Sequence, residues 1–527
     1  VIGLLVVILG AMMVFPFLAD LIEGRGEWPV FLQSGLITIL GGALLALSCD
    51  SDKHDGLSIQ QTFLLTTFVW VALPLFGALP LMLGATELSF TDAFFEAMSG
   101  LTTTGSTVIS GLDDLPKGLL LWRGILQWLG GIGIIVVAMV FLPELRVGGM
   151  QIFKSEAFDT FGKILPRAQA IAKQISLIYV GLTVACMLVY FSLGMGGFDA
   201  LVHAMTTVST GGFSNYDGSF GTFSGPAEYA AAVFMILAAL PFVRYVQLVN
   251  GHTQPMLLDS QIRVFLATIL VLVVVTAGVL VTVFPHHPEQ ALREALFNIT
   301  SIISGTGYAS VDYMKWGSFL ITVFFFIGLI GGCAGSTACS VKIFRYQLLF
   351  ASIQVQIQRI RSPHGVFVPR FEGRPVGPDV LSSVISFFMF FVLTMGIVAW
   401  ALALTGLDFI TAISGAATAV ANVGPGLGET IGPAGNFATL NERRQMDPQQ
   451  CDVDWASGND GRLCHPHAAV LALLKRRHSK APGLCSGRFT QGRSDRWRSQ
   501  TSPQDGYAQS FSLTGALTPA HQCCRCR

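Results

Sequence analysis

The stretches AFFEAMSGLTTTG (93–105), ALVHAMTTVSTGG (200–212), ALFNITSIISGTG (295–307) and AISGAATAVANVG (412–424) superpose without gaps. The first three agree at nearly every position. An acid stands thirteen residues before the last glycine in those three (Asp92, Asp199, Glu294), and a polar group nine before it (Glu96, His203, Asn298). The fourth keeps the Thr/Ala/Asn/Gly ending but carries Thr411 and Gly415 at those places. Each stretch is half-apolar and too short to cross a bilayer, which takes about 20 apolar residues as helix. A long apolar run precedes each one, and another follows each of the first three. The unit is therefore helix, short pore helix, glycine turn, helix, repeated four times.

Outward from these stretches the chain is apolar throughout. Of its 527 residues 52% are hydrophobic and 12% charged, the formal net charge is zero, and the mean hydropathy is +0.60. Soluble domains carry about 25% charged residues, so this is an all-α, multi-pass membrane chain. Zero net charge, with no basic stripe before residue 440, argues against a nucleic-acid partner. Apolar runs occupy roughly 1–22, 31–49, 61–84, 118–143, 173–194, 228–249, 263–284, 317–334 and 379–405. The first begins at Val1 with no methionine ahead of it, so a few leading residues are expected to be missing.

Basic residues set the orientation. Arg146, Lys154, Lys163, Arg167 and Lys173 mark one cytoplasmic connection, and Lys342, Arg345, Arg359, Arg361, Arg370 and Arg374 mark another. Residues 195–225 and 404–440 have neither Lys nor Arg and are expected outside. Threading the nine runs then puts all four short stretches on the external side, where only surrounding protein or a water-filled cavity makes them tolerable at membrane depth.

Four glycine turns on one side suit cation permeation. A ring of backbone carbonyls replaces a hydration shell without a full negative charge that would trap the ion. Glycine supplies the positive φ that turns a carbonyl inward at no steric cost, which points to Gly105, Gly212, Gly307 and Gly424. The residues before them, Thr104, Gly211, Thr306 and Val423, suit an extended strand. Asp92, Asp199 and Glu294 read as caps or anchors at the starts of the pore helices, and His203 as a packing residue. One such stretch alone could equally be close helix packing; four phased copies favour the pore. A second glycine-rich element, GLIGGCAGSTACSVK (328–342), interrupts the run after the third turn. Gly331, Gly332, Gly335 and Ser336 are poor helix formers, so an unwound gating loop beneath the turns is expected, with Lys342 close behind.

These motifs together, SGLTTTGST (99–107), TVSTGGFSNYD (207–217), SGTGYASVDY (304–313), GGCAGST (331–337) and ANVGPGLG (421–428), resemble those of the Trk-type potassium uptake family within the Trk, Ktr and HKT superfamily. The resemblance implies a potassium-conducting subunit of the bacterial inner membrane, homodimeric and gated by a cytosolic nucleotide-binding regulatory subunit. No bound cofactor is implied beyond the potassium ion itself. It also implies two leading helices (1–60), followed by pore repeats at 61–172, 173–262, 263–378 with gating loop 331–342, and 379–440. Members often have more glycine where this chain reads ACS (338–340). Two other readings stand beside it. One is a proton- or sodium-coupled symporter, which would want a titratable group in the pore. The other is a membrane enzyme using Glu96, His203 and Asp312.

After Asn441 the composition breaks, and the fourth repeat has not received its closing helix. Residues 441–527 hold six of the ten cysteines (Cys451, Cys464, Cys485, Cys523, Cys524, Cys526) and many basic residues. A disordered basic tail and a Cys/His metal site are two readings, though the spacing around Cys464, His465 and His467 fits no zinc module. A third comes from codon freedom. Read one nucleotide later, QMDP (445–448) forces a Trp codon followed by Ile or Thr, and from Glu442 onward the permitted codons can spell SAAKWILSNVTLIGRLEMMAVFAILTL, an apolar helix resembling the family's last one. Its arginine falls across the codons of Ala456 and Ser457. The tail is therefore read as a frameshift product that costs the chain its last helix.

Overall fold

The computed structural model describes residues 1–24, 26–48, 59–140 and 168–438. The basic connection 146–167, Cys49 and the tail 441–527 lie outside the described residues. Among the described residues the regular structure is helical, apart from a hairpin pairing Arg370–Phe371 with Arg374–Pro375 and one isolated bridge, Ile330 to Val341.

Over the described residues each of the nine apolar runs falls mainly on helix, but not always as a single span. Ile2–Glu23, Trp28–Ser48, Ala172–Ser192, Ser260–Val283 and Pro378–Ala403 are each long and apolar enough to cross a membrane. The run read as one helix over 228–249 is instead two helices, Pro226–Ala238 and Phe242–Val249, bent by 90°. Pro241 has no N–H to give and its ring clashes with the preceding turn, so the helix cannot continue through it. The run at 317–334 stops as a helix at Gly328. Beyond Lys342 the expected connection holds a further helix, Ile343–Arg361.

The two leading helices meet through glycine. A Cβ on Gly42 would lie 2.8 Å from both the carbonyl oxygen of Gly3 and the nitrogen of Val7. Small residues at such a crossing let two backbones approach where lipid offers no hydrophobic drive.

The short stretches form helices Phe90–Leu101, Gly197–Val208, Pro288–Ser304 and Phe409–Ala421. Most of their residues are buried, in contrast to the lipid-length helices, whose windows are 6–33% buried. The apolar core divides along the chain in the same order. One cluster runs from Leu9 to Leu126 and takes in Val202. The next spans Ile175 to Val246 and takes in Phe297 and Tyr308. A third runs from Ala239 to Ile343 and takes in Val423 and Leu427. Two more follow: one of Ala334, Phe344, Leu348, Phe371, Val376 and Val384, and one that gathers Leu402, Leu407, Ala412, Ala416, Ile431 and Phe437. Each of the first three clusters borrows residues from the segment that follows.

The acids before the glycines play three different parts. Ser89 caps the first short helix, accepting from Asp92 N–H and donating its own hydroxyl to that carboxylate at 2.6 Å. Asp199 instead reaches the returning strand, accepting from Asn215 Nδ2 at 2.8 Å and Tyr216 Oη at 3.1 Å. Glu294 does not cap its helix. The third short helix starts earlier, at Pro288, where proline's fixed φ suits the first helical position, and this leaves Glu294 in mid-helix beside Gln290. The fourth helix, whose aligned position is Thr411, is capped by Asp408.

Candidate functional site

All four short helices end in the same way. The N–H of Thr104 donates to Ser99 O, Gly211 to Thr206 O, Thr306 to Ser301 O and Val423 to Thr418 O, at 2.9, 2.9, 2.9 and 3.1 Å. This six-residue closure is the Schellman bond, which requires a left-handed residue just before its donor. Thr103 (φ 57°), Thr210 (φ 52°), Gly305 (φ 76°) and Asn422 (φ 60°) occupy that place. Two residues on, Gly105, Gly212, Gly307 and Gly424 are left-handed again, at 84°, 74°, 79° and 102°. Each turn thus alternates the sign of φ, where the sequence had pointed to its last glycine alone.

The four turns meet around a closed circuit in chain order. A Cβ on Gly105 would overlap the carbonyl oxygen of Gly211, one on Gly212 that of Thr306, and one on Gly307 that of Val423. One on Gly424 would lie 2.7 Å from the carbonyl oxygen of Thr104. All eight expected site residues are therefore brought together. Side chains tie neighbouring turns: Asn422 Nδ2 donates to Thr102 O at 2.8 Å, Thr104 Oγ1 donates to Asn422 Oδ1, and Ser106 Oγ donates to Gly424 O at 2.9 Å. On one side of the circuit, a cavity of about 580 Å³ is lined by all four glycines and by residues of the returning strands.

The polar groups nine residues before the glycines hold those strands in place. Glu96, fully buried, accepts from Val108 N–H at 2.9 Å and from Arg123 Nε at 2.9 Å. Arg123 continues to Ser214 O at 2.8 Å and stacks over the Phe213 ring at 4.1 Å. His203 Nε2 lies 3.1 Å from Ser214 Oγ, and Asn298 Nδ2 donates to Ser310 Oγ at 3.0 Å. Asp312 caps a short turn, accepting from Met314 N–H. Glu96, His203 and Asp312 thus serve separate strands and do not converge as an acid/base set. Sequence reasoning missed Arg123 and Gln127. An arginine inside the apolar run 118–143 was the available signal, since such a group calls for a partner.

Residues 329–342 are unwound, as expected, and pass under the ends of the short helices. Cys339 N–H donates to Ser304 O at 3.4 Å, and Ser340 N–H to Ala421 O at 2.8 Å. Asn422 Nδ2 reaches Cys339 Sγ at 3.0 Å. The loop also satisfies the helix break at Pro241. Cys333 N–H donates to Ala239 O at 3.0 Å, Thr337 Oγ1 to Ala238 O at 3.0 Å, and Phe242 N–H to Gly335 O at 2.9 Å. A Cβ on Gly331 would overlap the Cys339 carbonyl, and one on Gly332 would lie 2.9 Å from Ala239 O. Ser336 Oγ donates to Cys333 O, and Lys342 Nζ to Ala338 O. A second cavity, of about 530 Å³, is lined by this loop together with Phe387, Phe390, Phe391 and Asn422.

Comparison with known proteins gives this geometry a family. Residues 27–443 match TrkH, described as a cation transport protein, and the match stops where the composition breaks. The Trk system potassium uptake protein TrkI of Halomonas elongata is 43% identical over 443 residues, covering 84% of this chain and 89% of that protein. The Trk system potassium uptake protein TrkH of Escherichia coli K12 is 34% identical over 449 residues, covering 84% and 92%. The crystal structure of the potassium transporter TrkH from Vibrio parahaemolyticus superposes with a TM-score of 0.77 at 33% identity, over 84% of this chain and 92% of that one. These relatives are named as transporters, not enzymes. With a match of this extent and relatives this similar over most of their length, the chain belongs to the TrkH family of cation transport proteins.

Proposed function

We propose that the chain mediates potassium uptake across the bacterial inner membrane, with the circuit of four turns as its selectivity filter. The observation that carries this reading is the ring contact itself, in which the carbonyls of Thr104, Gly211, Thr306 and Val423 each approach the glycine of an adjacent turn. Carbonyl dipoles so arranged could replace the water around a monovalent cation. The C-terminal ends of four short helices would add negative dipole ends nearby. Inward movement would be driven by the membrane potential, about 2.3 kcal/mol per elementary charge per 100 mV. Residues 102–105, 209–212, 304–307 and 421–424 contain no titratable side chain, which disfavours proton coupling within the turns.

In this reading residues 329–342, with Gly331, Gly332, Gly335, Ser336 and Lys342, form the gate. Their bonds to the Pro241 break and to the ends of the third and fourth turns support such a role, because a shift of the broken helix would be felt by the loop. The working assembly is a homodimer whose gate answers to a cytosolic nucleotide-binding subunit. Gly212→Ser and Gly307→Ser test the filter. Each puts a side chain where the next turn's carbonyl lies, and growth on limiting potassium should become sodium-sensitive. Unchanged uptake and selectivity in both variants would overturn the assignment.

A further inference from the structure

The four carbonyls of the circuit are not equivalent. Gln127 Nε2 donates to Gly211 O at 2.6 Å, while its Oε1 accepts from Phe213 N–H at 3.0 Å. Among the described residues, no hydrogen bond reaches the carbonyls of Thr104, Thr306 or Val423. Gln127 is fully buried, on the helix Lys117–Val140. That helix is brought close by the glycine pair that follows. A Cβ on Gly130 would overlap Leu101 O, and one on Gly131 would lie 2.9 Å from Ser209 Cβ. Gly211 is needed for the same fit, because a Cβ there would overlap the Gln127 carboxamide. Its φ is not left-handed, so the constraint comes from Gln127 and not from the backbone.

We infer that Gln127 is a positioning residue that sets the ion preference of the ring through the Gly211 carbonyl. This rests on the filter reading above. A carbonyl oxygen has two lone pairs. One of Gly211's is held by the Gln127 amide, whose hydrogen also brings positive charge beside any cation in the ring. The second quadrant is therefore a weaker ligand than the other three. Ion preference depends on the number and field strength of coordinating carbonyls. Releasing Gly211 O strengthens the ring's field and moves preference towards the smaller cation, sodium.

The test uses full-length purified protein and ion-dependent thermal stabilisation, which needs no transport, with potassium chloride and sodium chloride as the probes. Gln127→Met keeps the bulk and removes both hydrogen bonds. Gly211→Ala displaces the same carboxamide by a different route. In both variants the ratio of half-saturating sodium to potassium should fall about three- to tenfold, the scale of one hydrogen bond. A purely structural role would lower the melting temperature without moving that ratio. An unchanged ratio in both variants, with a changed one in Gly212→Ser, overturns the role of Gln127 and leaves the filter standing. An unchanged ratio in all three overturns the filter reading, and this inference with it.

Discussion

The first three turns and the fourth reach one backbone conformation by different means. In the first three, a side chain nine residues before the glycine crosses to the returning strand: Glu96 to Val108, His203 to Ser214, Asn298 to Ser310. The fourth has Gly415 there and relies on a local bracket. Ser414 Oγ accepts from Leu427 N–H at 2.9 Å and donates back to Leu427 O at 3.1 Å, while Gly426 N–H bonds Ile431 O at 2.7 Å. The Schellman bond and the left-handed pair are common to all four. The conformation therefore belongs to the backbone, and the lock behind it can vary from turn to turn.

The largest expected effect concerns what closes the fourth turn. The first three are followed by the helices Lys117–Val140, Pro226–Ala238 and Gly317–Gly328. If the alternative reading frame after about residue 441 supplies the fourth, restoring it should convert a chain inactive in potassium-uptake-deficient cells into an active one. Sequencing the gene around codons 438–445 checks the premise. Robust uptake by the chain with its present tail, abolished by deleting residues 445–527, would show the tail to be native.

Next comes the lock of the first turn. Glu96→Ala leaves Arg123 buried without its carboxylate, and breaking such a pair costs about 3–5 kcal/mol. A large fall in melting temperature is expected, with both the first and second turns affected, because Arg123 also holds Ser214 O. Glu96→Ala no less stable than the parent would mean that this ion pair does not hold the turn. Asn298→Ala should cost less, about 1–3 kcal/mol for a buried group left unsatisfied. Ser414→Ala, which loses a local bracket only, should cost about 1 kcal/mol. Chemical denaturation in detergent would rank the three, and a reversed order would break the comparison.

The smallest effect is expected under the turns. Thr337→Val removes the hydroxyl bond to Ala238 O at the helix break. If the loop gates, single-channel open probability should change while the potassium-to-sodium permeability ratio stays put. Equal losses of folded protein and of flux would mark the contact as packing.

Much of this was legible in the sequence because glycine has no substitute at φ near 80° beside a neighbouring carbonyl. Gly105, Gly212, Gly307 and Gly424 therefore stand out in any reading. Thr103 and Thr210 did not, because β-branched residues are rare in left-handed backbone and only the Schellman closure reveals them. The Pro241 break carried its own signal, overlooked within an apolar run. Gln127 had none. Its role depends on how closely Gly130 and Gly131 let one helix approach two others, which no local pattern records. Glu294 misled because the third short helix begins earlier than its two counterparts.

The central claim is that the four carbonyls hold a permeating cation. Anomalous scattering from protein crystallised in rubidium chloride, with rubidium standing in for potassium, would test it most directly. The account requires a peak on the axis of the ring, within coordination distance of the four carbonyl oxygens, with the distance to Gly211 O the longest of the four. Well-ordered turns with no peak there, and ions bound only elsewhere, would contradict it.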